Sequence, residues 1–217
     1  MLLEIDNLHY SIDGKHIFSD FSLSVAERGH HLLVGPSGSG KTTLINLISG
    51  LLSPDKGMVS IAGRNIATVT EAERDRVRRE YIGIIFQTLR LVSALDLSGN
   101  LLLAQRLSRG ATDAPLIATL LDRMGIAHLA NAKPYQMSQG EAQRAAIARA
   151  LATRPRLLIA DEPTSALDAL NARQVAELLL QCASDFGVTL LVATHDDRLA
   201  SVFPNRIVLA QQGGRAD

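Results

Sequence analysis

Apolar and polar side chains alternate through the opening of the chain. Leu3-Glu4-Ile5-Asp6-Asn7-Leu8 and Phe21-Ser22-Leu23-Ser24-Val25 carry the period of two expected of half-buried strands. Asp13-Gly14 between them suits a tight hairpin turn, so the first thirty or so residues are predicted to be antiparallel β-structure. The pattern then changes. His31-Leu32-Leu33-Val34 reads as a short buried strand, and Thr43-Leu44-Ile45-Asn46-Leu47-Ile48-Ser49 as a helix with Gly50 just past its end. Met58-Val59-Ser60-Ile61-Ala62-Gly63 returns to strand. From about Leu89 to Leu151 the pattern is mostly helical, with Leu116, Leu120, Leu121 and Met124 forming one apolar stripe closed by Gly125. Leu157-Leu158-Ile159-Ala160 and Val188-Thr189-Leu190-Leu191-Val192-Ala193 are buried-strand runs, separated by a helix of about Ala172 to Phe186.

Alternating strands and helices predict a parallel sheet with right-handed crossovers. The expected fold is α/β: a mostly parallel core, an N-terminal antiparallel β subdomain and an inserted helical subdomain. One domain spans residues 1–217, with 1–87 and 156–217 as the core and β subdomain and 88–155 as the insert.

Composition narrows the function. The 217 residues are 47% apolar, enough for a sizeable core. Lys+Arg and Asp+Glu number 22 each, which leaves no strong field to draw in nucleic acid. Arg74, Arg76, Arg78 and Arg79 interleave with Glu71, Glu73, Asp75 and Glu80, the pattern of a solvated helix face. The single cysteine, Cys182, follows Val175, Leu178 and Leu179 at helical spacing and reads as core packing. The N-terminus lacks the pattern of a secretory signal, and no segment approaches the about 18 apolar residues that cross a bilayer.

The chemistry concentrates at Gly35-Pro36-Ser37-Gly38-Ser39-Gly40-Lys41-Thr42, which fits G-x-x-x-x-G-K-[ST], a phosphate-binding loop. A strand before it and a helix after it aim successive backbone N–H groups, through Thr43, at one point. Lys41 is suited to reach β/γ-phosphates and the Thr42 hydroxyl to ligate Mg²⁺. The core is therefore expected to be of P-loop NTPase type. Leu157 to Ala160 end in Asp161-Glu162. Carboxyl ends of parallel strands carry ligand sites, so Asp161 can hold Mg²⁺ opposite Thr42 and Glu162 can orient or deprotonate a water. Ser138-Gln139-Gly140-Glu141 opens a long helix, and Ser138 with Glu141 fits a capping box. That box is a complete structural explanation; the same helix end can also bind phosphate.

Met137-Ser138-Gln139-Gly140-Glu141 resembles the L-S-G-G-Q signature of ABC transporter ATPase subunits. The resemblance extends through Gln143-Arg144, Ala148-Arg149-Ala150-Leu151, Asp161-Glu162-Pro163-Thr164-Ser165-Ala166-Leu167-Asp168, Gln87 after Ile84-Ile85-Phe86, and His195 in Ala193-Thr194-His195-Asp196. It covers essentially the whole chain, in family order. Arg78, Arg79, Ile82 to Gln87 and the compact length resemble the subgroup serving lipoprotein release, macrolide efflux and cell division.

The resemblance implies ATP and Mg²⁺ as ligands. Tyr10 falls where an aromatic ring stacks on adenine, although a strand tyrosine can equally pack outward. Gln87 matches the residue that approaches Mg²⁺ and water, and His195 the one that contacts the γ-phosphate. Asp168 matches a loop crossing to a second subunit; alone it reads as a helix N-cap. Two subunits would close head to tail, each ATP lying between one P-loop and the other chain's Ser138-Gln139-Gly140-Glu141. Partners are thus a second copy of the chain and integral membrane permease subunits, with no nucleic acid expected. The implied location is cytoplasmic, peripheral on the inner face of the cell membrane. Three positions depart from the family pattern: Gln139 replaces a glycine, Glu141 stands where the signature usually has glutamine, a change several subfamilies share, and Gly99 stands where related subunits often carry glutamate. Alternatives are a soluble ABC-type regulator and a nucleotide-dependent interaction module that hydrolyses poorly.

Overall fold

The structure is a computed structural model and describes residues 1–165 and 167–210. Ala166 of the Asp161–Asp168 stretch and the end of the 156–217 segment lie outside the described residues.

Along the chain, β1 (Leu3–Ile12) and β2 (Lys15–Val25) form a hairpin, followed by β3 (His30–Val34) and α1 (Lys41–Ile48). Next come β4 (Lys56–Ile61), β5 (Arg64–Asn65), α2 (Glu71–Tyr81) and β6 (Ile82–Ile85). Three helices follow, α3 (Leu97–Arg109), α4 (Ala114–Arg123) and α5 (Gln139–Ala152). The chain returns to the sheet with β7 (Leu157–Asp161), α6 (Ala169–Asp185), β8 (Thr189–Thr194) and β9 (Asn205–Val208).

The strands form two sheets, in the orders β2-β1-β4-β5 and β6-β7-β8-β3-β9. The first is antiparallel and the second parallel. The expected hairpin turn is present, with φ 51 at Asp13 and φ 78 at Gly14, the left-handed pair that a two-residue hairpin matching strand twist requires. β7 and β8 are buried at every position, which explains their continuous apolar sequences.

Successive side chains on these strands point to opposite faces, and the core splits accordingly. Leu33, Leu157, Ile159, Leu191 and Ala193 pack with Leu44 and Ile48 of α1 and with Ile5 and Val59 of the antiparallel sheet. Leu32, Leu158, Ala160, Leu190 and Val192 pack with Leu97, Leu101, Leu120, Leu121 and Ile147 from α3, α4 and α5. The helices inserted between β6 and β7 therefore share the parallel sheet's core. α2 has the expected solvated face, with Val77 its buried residue and Thr70 and Glu73 closing a capping box. Cys182 is core packing as read: burial pushes its thiol up to about 11.

Residues 89–96 differ from the helical pattern and form a loop before α3. Asn100, only 2% exposed, determines this. Its Oδ1 accepts from Val92 N at 2.7 Å, and its Nδ2 lies 3.1, 3.3 and 2.9 Å from the carbonyls of Val92, Leu95 and Asp96. Backbone groups that a helix would have paired are satisfied by one buried amide. Asp96 then caps α3 by accepting from Gly99 N at 2.7 Å. A Cβ at position 99 would sit 2.9 Å from Asp96 Oδ1, so glycine suits this cap. α6 starts three residues before the expected Ala172 because Asp168 caps it, accepting from Asn171 N at 2.9 Å.

Candidate active site

Gln87 follows β6, Asp161 ends β7, His195 follows β8 and the glycine loop follows β3. All four strands are parallel, so these segments emerge at one edge of the sheet. Ser37, Gly38, Gly40, Lys41, Thr42, Thr43, Gln87, Glu162 and His195 line one cavity of about 350 Å³, together with Ile17. A larger cavity, about 570 Å³, opens at the far end of α3. Its Gln105 and Asp113 are already hydrogen-bonded to each other, and Arg109 to the carbonyls of Thr153 and Arg154.

The loop requires its glycines. A Cβ at Gly35 would fall 2.6 Å from Leu209 O and from Ser39 Oγ. Gly40 has φ 94, and a Cβ there would meet Ile17 and Phe18 at 3.0 Å. Among the described residues no side chain caps α1, and its first turn holds no acidic residue. Its first N–H groups thus remain open donors at the positive end of the helix dipole. Lys41 is 7% exposed and folds back on the loop, donating to Gly35 O at 2.8 Å and Pro36 O at 3.1 Å. Its Nζ lies 3.6 Å from Glu162 Oε1.

Thr42 Oγ1 donates to Asp161 Oδ2 at 3.2 Å. Asp161 Oδ1 is buried with no hydrogen-bond partner among the described residues. Burial raises the Asp161 pKa; Thr42 and Lys41 act against that shift and the Glu162 charge with it. An orphaned carboxylate oxygen beside a hydroxyl suits a hard divalent cation. No group of three or more His, Cys, Asp or Glu able to hold a metal occurs among the described residues. A cation here would lean on oxygen donors of its ligand, as Mg²⁺ does with phosphates.

Glu162 has a left-handed backbone, φ 49, held by its N–H donating to Ala193 O at 2.8 Å. Such strain at a non-glycine residue costs about 1–3 kcal/mol and persists where surroundings enforce it. Its Oε2 is 2.9 Å from His195 Nδ1 and accepts from Thr194 Oγ1 at 3.2 Å. Gln87 Nε2 donates to Ser165 Oγ at 3.3 Å. Ile17, Ser165 and Thr194 are thus site neighbours that sequence reading did not single out. Ser165 and Thr194 lie inside recognised stretches; Ile17 carries no signal of its own.

The remaining predicted residues lie elsewhere. Tyr10 pairs with Phe18 across the hairpin and packs part-buried on the N-terminal core, outside the cavity lining. Ser138 caps α5, its hydroxyl donating to Glu141 Oε2 at 2.7 Å and accepting from Glu141 N at 3.4 Å. Those bonds from Ser138 hold the Glu141 pKa below the usual carboxylate range. Gln139 and Gly140 line a separate cavity with Arg144, Leu167 and Asn171. Asp168 is bonded to the Asn171 backbone and amide. Neither Ser138 nor Asp168 is among the residues lining the P-loop cavity.

A family model described as ABC transporter matches residues 18–165, and the chain belongs to this family. It is an ATP-binding, ATP-hydrolysing subunit of an ABC transporter complex. Among its relatives, the lipoprotein-releasing system ATP-binding protein LolD of Hydrogenovibrio crunogenus is 40% identical over 194 residues, covering 88% of this chain and 84% of that protein. The ABC transporter ATP-binding protein YtrE of Bacillus subtilis is 38% identical over 188 residues, covering 86% and 81%. The fold is similar to the dimeric structure of MJ0796, a bacterial ABC transporter cassette, with TM-score 0.84 at 31% identity over 99% of this chain and 97% of that one. It is also similar to the dimeric post-hydrolysis state of MJ0796 bound to ADP and Pi, with TM-score 0.83 at 31% identity over 97% of each chain.

Proposed function

We propose that two copies of this chain close head to tail around two ATP molecules and so drive an integral membrane subunit on the cytoplasmic face of the cell membrane. The observation that carries this reading is the separation of Ser138, Gln139 and Gly140 from the P-loop cavity of the same chain. Two phosphate-binding helix ends that face different cavities form one site only when a second copy supplies the missing half. The dimeric state of the similar cassettes supports it.

On binding, the N–H groups of residues 35–43 receive the phosphates, and Lys41 exchanges the Gly35 and Pro36 carbonyls for phosphate oxygens. Thr42, Asp161 and Gln87 would hold Mg²⁺, which supplies charge neutralisation on the phosphates. Tyr10 stacks on adenine from the hairpin. Glu162 accepts the proton of the attacking water, and His195, bonded to Glu162, contacts the γ-phosphate. Ser138, Gln139, Gly140 and Glu141 close over that phosphate from the second subunit, with Asp168 crossing beside them. Closure releases the Ser138 hydroxyl from Glu141. Residues 88–155 swing as a helical subdomain against 1–87 and 156–217, linked through Gln87. Hydrolysis removes the γ-phosphate and with it the bias toward closure.

No described helix is long and apolar enough to cross a membrane, so the membrane-spanning part of the complex is assigned to the partner. Equal numbers of acidic and basic residues argue against nucleic acid. The similarity to lipoprotein-releasing ATPases favours mechanical release of cargo.

Gln139→Gly is expected to raise ATPase activity or ATP-dependent dimerisation, because it removes bulk where backbone must approach phosphate. The helix start loses about 0.5–1 kcal/mol. Steady-state phosphate release and sizing chromatography check it; lower activity at equal stability would make the Gln139 side chain a useful contact. For the partner, single cysteines from Leu91 to Gly99 should crosslink to an integral membrane subunit. Crosslinks confined to soluble protein or nucleic acid would overturn the transporter reading.

A further inference from the structure

We infer that His128 is a positioning residue for ATP-driven closure: when charged, it offsets the Glu141 carboxylate beside the phosphate-binding start of α5. The inference rests on the proposed head-to-tail dimer and adds a residue to the part of the site that the second copy supplies.

Glu141 is the third residue of α5, and its two carboxylate oxygens have separate partners. Oε2 accepts from the Ser138 N–H at 2.8 Å and from the Ser138 hydroxyl at 2.7 Å. Oε1 lies 3.8 Å from Nε2 of His128, on the short 3₁₀ turn Ala127–Leu129. One carboxylate therefore joins the hydroxyl that must reach the phosphate to a titratable ring on another element. The charges nearby are few. α4, packed against that turn, carries Asp122 and Arg123, and Arg123 pairs with Asp185 at 3.3 Å. The loop after the turn carries Lys133, and α5 carries Glu141 and Arg144. Among the described residues, Glu141 is the acid within ion-pair reach of His128. Arg144 also draws on Glu141. A guanidinium is always charged, so His128 is the part of this balance that changes with pH.

In the single chain the pair adds little to stability, because His128 is 66% exposed and water screens such pairs. Closure changes its weight. The γ-phosphate brings negative charge to the Ser138 end of α5, and the second copy excludes water, so each charge there acts more strongly. The glutamine usual at this position would leave the phosphate unopposed. Glu141 repels it and also holds the Ser138 hydroxyl. A charged His128 cancels that repulsion and weakens the carboxylate's hold on the hydroxyl. Closure is therefore favoured by a proton on His128. Histidine changes charge between about pH 5 and 8, so the benefit is present at the acid end and is lost as pH rises.

The test titrates the full chain carrying Glu162→Gln with Mg-ATP between about pH 5.5 and 8.5, and reads the dimer fraction by sizing chromatography. Adding His128→Gln keeps a hydrogen-bond donor but no charge. It should raise the ATP concentration for half-dimerisation by roughly three- to tenfold at the acid end and leave it unchanged at the alkaline end. Titration of ATP itself and of other histidines is common to both proteins and cancels in that ratio. Rescue by His128→Lys should hold the acid-side affinity across the whole range. With Glu141→Gln also present, His128→Gln should have no effect. Thermal unfolding of the His128 variants should match the parent, which separates charge from folding. Identical pH profiles with and without His128→Gln, or an effect of His128→Gln that persists beside Glu141→Gln, would overturn the inference and leave the dimer standing. No ATP-dependent dimer at any pH would overturn the head-to-tail reading itself.

Discussion

Lys41→Ala loses ATP affinity by roughly 10- to 100-fold, the worth of one or two charge-assisted hydrogen bonds in a shielded site. The backbone donors of the loop remain, because α1 begins at this residue and alanine favours helix. What disappears is the cation that now bonds Gly35 O and Pro36 O and lies 3.6 Å from Glu162. Without it, the Glu162 carboxylate faces the triphosphate with no intervening positive charge, which adds repulsion to the lost contact. Equilibrium titration with a fluorescent ATP analogue measures the change, and a melting curve confirms that the variant is folded. Unchanged affinity in a folded protein would remove Lys41 from the phosphate site.

Glu162→Gln lowers turnover by about 10²–10⁴-fold, the usual contribution of a positioned general base, while ATP binding is kept. Glutamine has nearly the same shape, so it can still accept from Thr194 and remain beside His195. It cannot take a proton from water. With chemistry blocked and the phosphate contacts intact, the variant should accumulate as an ATP-dependent dimer on sizing chromatography. Phosphate release per minute is the deciding measurement. Turnover at the parent rate would show that another group accepts the proton.

Much of the site was legible because its pieces are contiguous. Gly35 to Thr42 carry their own glycines, lysine and hydroxyl, and the strand before and helix after them follow from local periodicity. The hairpin at Asp13-Gly14 and the cap joining Ser138 to Glu141 are local in the same way. Reading failed where a distant or buried group overrode the pattern. The leucine-containing stretch after Leu89 looks helical, yet the buried Asn100 amide holds it as a loop.

By itself the sequence determined most element types and the phosphate loop, since each depends on residues within a few positions of one another, and the family, through several such short motifs in order along the chain. Only the tertiary structure decided which distant residues meet. Thr42 and Asp161 touch across 119 positions because β3 and β7 flank β8, and Glu162 meets His195 because β7 and β8 are neighbours. Strand order arises from how both faces of the parallel sheet are buried, which no local pattern encodes. The same packing sets the locally capped Ser138 apart from the P-loop cavity. Elements that are each complete locally are thereby left facing different cavities.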